Sequence, residues 1–91
     1  MNILLITQYI INVLKQLPID NKRKIALIVL EKFLKHLNGE QTDSPTKDEL
    51  KVTVDAIKEI KQNNARSIQE YNLIENQAEF IKNLIDWGAS R

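Results

Sequence analysis

Few side chains in this 91-residue sequence can do chemistry, and each can be weighed in turn. The absence of cysteine removes thiol nucleophiles, disulfides, cysteine-ligated zinc and iron–sulfur centres. His36 is the single imidazole; at helical spacing it shares a side with Lys32 and Glu40, with no Glu-x-x-His partner of the kind that holds metals in carboxylate-bridged bundles. It reads as a solvated surface histidine. Glu70, Glu75, Glu79 and Asp86 are spaced as solvating charges on a helix rather than as a paired acid and base. Ser44, Ser67 and Ser90 have no histidine or lysine placed by sequence to activate them, and turn or capping roles account for the first two. With only Gly39 and Gly88, no glycine-rich phosphate loop is possible. The expectation is a protein without catalytic, cofactor-binding or metal-binding residues, and so not an enzyme.

Charge is the next feature that could recognise something. The net charge is +1, but residues 1–39 hold six basic and two acidic side chains against seven and ten in residues 40–91. Lys22-Arg23-Lys24 stands at the start of a helix, where the macrodipole already disfavours cations. The triplet is a solvated helix start or a docking point for an anionic partner. The overall polarity is weaker than nucleic-acid-binding domains usually show, so a small helical nucleic-acid-binding regulator is a lesser alternative.

The elements that position these residues follow from the periodicity. Ile3, Ile6, Ile10, Val13, Leu14 and Leu17 recur at three- and four-residue steps and predict a helix over about 2–17, ended by Pro18. The run is shorter than the roughly 20 residues of a membrane span. No basic residue precedes it and no small-residue cleavage site follows, so it is read as a buried helix of a cytoplasmic protein. Asp20 is a good N-cap for a second helix over about 21–38, with Ala26, Leu30, Phe33, Leu34 and Leu37 on its main face. Gly39 is placed to close that helix in the left-handed conformation. Residues 39–46 form a polar loop, and Thr46 with Glu49 fits a capping box for a third helix over about 47–62. Its stripe of Leu50, Val54, Ile57 and Ile60 is narrow, so it should be the most exposed helix. A break at 63–67, with Ser67 and Glu70 as a second capping box, opens a fourth helix over about 67–87 that Gly88 ends. Tyr71, Ile74, Ala78, Ile81 and Ile85 make one of its faces; Leu73, Phe80, Leu84 and Trp87 make the neighbouring one. A single helix from Thr46 to Trp87 is the competing reading, since no proline or glycine forbids it.

These elements predict a single all-α domain over residues 1–91, a small up-down antiparallel four-helix bundle. Helix one is apolar around much of its circumference, and Leu4, Leu5, Ile11, Ile19 and Ile28 exceed what the main faces need. Leu4, Leu5 and Ile11, the basic triplet Lys22, Arg23 and Lys24, and the late aromatics Phe80 and Trp87 are therefore the candidate partner-binding residues. The expected partner is another protein, with a homodimer formed through the helix one–two hairpin.

The helix order, the length and the closing segment Ile81-Lys82-Asn83-Leu84-Ile85-Asp86-Trp87-Gly88 look loosely similar to the small cytosolic immunity proteins that protect bacteria against pediocin-like bacteriocins. That resemblance implies an antiparallel four-helix bundle whose C-terminal helix and tail confer specificity. The tail beyond Gly88 is three residues, short for that role. A composition rich in Ile, Lys and Asn points to an AT-rich bacterial, phage or plasmid genome. The function expected first is non-catalytic protein–protein interaction, as an adaptor, inhibitor or effector-recognition module.

Overall fold

The computed structural model describes the backbone at residues 3–18, 20–63 and 68–89, and side chains at all of these except 60–63 and 68–76. Ile19, Ser67 and Ser90, and the side chains of Ile60, Glu70, Tyr71, Leu73, Ile74 and Glu75, lie outside this set. Among the described residues there are four helices and no strand: α1 (Ile3–Gln16), α2 (Asn21–Leu37), α3 (Lys47–Asn63) and α4 (Ile68–Ala89).

Local chemistry sets the ends. Asp20 is extended (φ −123°, ψ 179°) and its Oδ1 accepts the Arg23 N–H at 2.8 Å, so α2 starts where the N-cap was expected. Gly39 has φ +85°; its N–H donates to the His36 carbonyl and the Glu40 N–H donates to that of Lys35, each at 3.0 Å. This is a Schellman closure, which an L side chain at Gly39 would strain. Thr46 and Glu49 cap each other as expected, Thr46 N–H to Glu49 Oε1 at 2.9 Å and Glu49 N–H to Thr46 Oγ1 at 3.1 Å. Gly88 does not end α4, which continues to Ala89. It is buried instead, and a Cβ there would stand 2.9 Å from Leu50 Cδ2; the glycine brings the end of α4 close to the start of α3.

Cross-helix pairs fix the directions of α2, α3 and α4 relative to one another. Lys22 on α2 meets Glu59 on α3 at 2.8 Å, and Lys32 acts electrostatically on Glu49, so α2 and α3 run antiparallel. Gly88 lies against Leu50, while Gln77 Nε2 donates to the Ile57 carbonyl at 2.9 Å. Residues 57 and 77 would stand about 30 Å apart in one unbroken helix. α3 and α4 therefore lie side by side, which excludes the single-helix reading. With the short Pro18–Asp20 link joining α1 to α2, the result is an up-down bundle. Its Cα radius of gyration, 12.2 Å, matches the ~12 Å of a compact domain of this length.

The core gathers Ile10 and Leu14 from α1, Ala26, Leu30 and Phe33 from α2, Ile57 from α3, and Phe80 and Leu84 from α4. Phe33 is its centre, edge-to-face with Phe80 (centroids 5.8 Å apart) and tilted against Trp87 at 5.1 Å. Two faces differ from expectation. On α4 the stripe Gln77-Phe80-Leu84-Trp87 points inward, leaving Ala78 and Ile85 exposed and Ile81 half-buried. The stripe holding the aromatics has more apolar surface to remove from water, and that sets the helix rotation. On α3 the buried residues are Thr53, Ala56 and Ile57, with Leu50 and Val54 half-buried. Small side chains there admit α2, and α2–α3 is the most extensive helix pair among the described residues, so α3 is not a loosely held element.

Candidate interaction groove

The residues expected to bind a partner separate into three places. Ile11, Phe80 and Trp87 are core residues of the monomer, exposed by 5%, 0% and 7%. Leu4 is half-buried, and Leu5, at 60%, is the most exposed large apolar side chain among the described residues. The basic triplet lies at the other end of α1–α2 and is partly committed internally. Lys22 is paired with Glu59, which raises its pKa above the ordinary lysine value, chiefly through that hydrogen bond. Arg23 Nη1 donates to the Pro18 carbonyl at 2.6 Å and stands 3.7 Å from Asp20 Oδ2, bracing the α1–α2 link. Lys24 is exposed. His36, at the opposite end, stacks on Phe33 (centroids 6.4 Å) and tilts against Trp87 at 5.7 Å, so it is an exposed lid on the aromatic core.

A continuous apolar surface appears elsewhere, along the outer seam between α3 and α4. Two adjoining hollows of about 450 and 480 Å³ share Lys47, Leu50 and Ile85. Val54 extends the floor along α3, and Pro45, Gly88 and Ala89 close the end nearest the loop. Ile85 is 43% exposed, although a 91-residue chain has little apolar surface to spare. The groove exists because α4 turns its aromatic stripe inward, which places Ile85 at the seam. Gly88 deepens it by admitting α4 to within contact of Leu50.

The two walls differ in charge. Along α3, Lys47, Lys51 and Lys58 border the groove, and Asp55 is the one charge opposing them among the described lining residues. Residues 47, 51 and 58 fall on one side of a helix at about 100° per residue, directly beside Leu50 and Val54. Along α4, the described residues that line the groove are Ile85, Gly88 and Ala89, none of them charged. The groove is thus an apolar floor with one basic edge. It offers no paired acid and base, and no grouping of His, Asp or Glu among the described residues could hold a metal ion. What such a surface can do is hold an apolar segment and read its charge.

A second, polar hollow of about 760 Å³ lies between Lys32, Lys35 and His36 and the loop residues Glu40–Asp43. Its charges are mixed in sign. No described helix is long and apolar enough to cross a membrane. No family model, curated protein or solved structure matches the chain.

The groove is not legible in sequence because Leu50 and Val54 pack against the core with one side and line the groove with the other, and spacing alone does not say which of the two apolar faces of α4 turns inward. A signal was present. Lys47, Lys51 and Lys58 line one flank of the Leu50–Val54 stripe, and α4 carries two apolar faces where a core needs one.

Proposed function

We propose that the protein is a non-catalytic interaction module that recognises another protein through its helical surface, with the α3–α4 groove as the docking site. One observation carries this reading: Ile85, Leu50 and Val54 form a concave apolar strip, open to solvent, beside a row of three lysines. Exposed contiguous apolar surface rimmed by polar residues is the usual mark of a binding face. An adaptor, inhibitor or effector-recognition role fits this surface equally well. A cytoplasmic setting fits the absence of cysteine.

The reading is tested by placing a photo-crosslinking side chain at position 85 and, as control, at position 24 in the native host. A discrete heterologous adduct from position 85, absent from position 24 and lost on adding Val54→Glu, is expected. Equal labelling from both positions would contradict it.

Self-association through the α1–α2 hairpin is a second reading, favoured by the 60% exposure of Leu5. Such a dimer would be small at its apolar centre, because Ile11 is used inside the monomer.

A further inference from the structure

Building on the docking role just proposed, we infer that the occupant of the α3–α4 groove is an amphipathic helix of another protein, acidic along the flank that faces α3. Shape, length and charge on the groove each restrict the ligand. The floor of Leu50, Val54 and Ile85 is apolar and lies between two parallel ridges, which suits a rod rather than a flat surface. Between Lys47 and Lys58 the α3 wall runs for about 16 Å, roughly three helical turns. A ligand helix of that length presents apolar side chains at i, i+3/i+4 and i+7 to the floor.

Charge then sets its orientation about its own axis. Lys47, Lys51 and Lys58 stand on one wall, with Asp55 the one opposing charge among the described lining residues, whereas Ile85, Gly88 and Ala89, which line the groove from α4, carry no charge. A ligand with Glu or Asp on its α3-facing edge meets three ammonium groups, and one with Lys there meets repulsion. The complementarity is at the rim, so it governs choice of partner and rate of encounter more than total affinity.

The test uses the whole chain and three fluorescein-labelled synthetic helices that share one apolar stripe. They differ only on one flank, which is all Glu, all Gln or all Lys. Anisotropy titration at low salt is paired with amide chemical-shift mapping. The Glu peptide should bind about tenfold more tightly than the Gln peptide, and the Lys peptide more weakly still. Shifts should centre on residues 47–58 and 81–89. The double variant Lys51→Glu/Lys58→Glu, both positions exposed, should keep wild-type circular dichroism and reverse the order of the peptides. Equal binding of the Glu and Gln peptides, with shifts in the groove, would overturn the acidic-partner inference while leaving the docking site standing. No binding by any peptide and no groove shifts would remove both. Concentration-dependent groove shifts without peptide would assign the site to a second copy. Co-sedimentation with phosphatidylglycerol vesicles, abolished by the double variant, would assign it to a lipid surface; either result overturns the inference.

Discussion

Glu49 illustrates how a single side chain sets both a helix end and a pH response. The Thr46 N–H that it accepts holds its carboxyl below the ordinary glutamate value of 4.5. Partial desolvation opposes this, while the Thr46 hydroxyl and the charge of Lys32 assist it. A carboxyl with a depressed folded-state pKa stabilises the fold above its unfolded value, and that contribution is lost as pH falls through the folded value. Urea midpoints should therefore fall between pH 5 and pH 3 more steeply for the wild type than for Glu49→Gln, whose amide oxygen can accept the same bond at both pH values. Thr46→Ala should cost about 0.5–2 kcal/mol at pH 7. A Glu49→Gln profile parallel to the wild type would show that the box does not contribute to acid sensitivity. Caps of this kind were legible in sequence because they are local: Asp20, Gly39 and the Thr46–Glu49 pair act within a few residues. The buried polar residues were not. Thr7 and Thr53 are fully buried because each hydroxyl donates to the carbonyl four residues earlier, at 2.7 Å, and Gln77 because it reaches Ile57 on a neighbouring helix. The last depends on tertiary geometry that spacing does not reveal.

Among the elements, the helices themselves were readable to within about two residues, since apolar periodicity and caps agree on them. The rotation of α4 was not, because two adjacent apolar stripes compete and only their packing partners decide. Phe33 settles it by drawing Phe80 and Trp87 inward. Leu84→Ala, at 0% exposure, should cost about 2–5 kcal/mol in denaturant unfolding through the cavity it leaves. Ile81→Ala, one face over and half-buried, should cost clearly less. Equal losses would mean that α4 is rotated back toward the Ile81 stripe. The groove depends on this rotation: the stripe that lost the competition for the core, with Ile85 on it, is what remains open to solvent.

For the whole molecule, Leu5 and Ile85, two of the four exposed large apolar side chains among the described residues, make separable claims. Leu5 lies on the hairpin and Ile85 on the opposite pair of helices, so a homodimer and a heterologous complex need not compete. In sedimentation equilibrium at micromolar concentration, Leu5→Glu should shift the protein to monomer if the hairpin forms a dimer. A wild-type monomer, or a dimer indifferent to that change, removes the hairpin interface. Ile85 is the residue on which the proposed groove depends: its side chain is exposed, so replacing it should cost the fold little. The most direct measurement is the unfolding free energy of Ile85→Glu in urea. The expected value lies within about 0.5 kcal/mol of the wild type, as for a surface position. A loss of about 2 kcal/mol or more would place Ile85 in the folding core and contradict the groove.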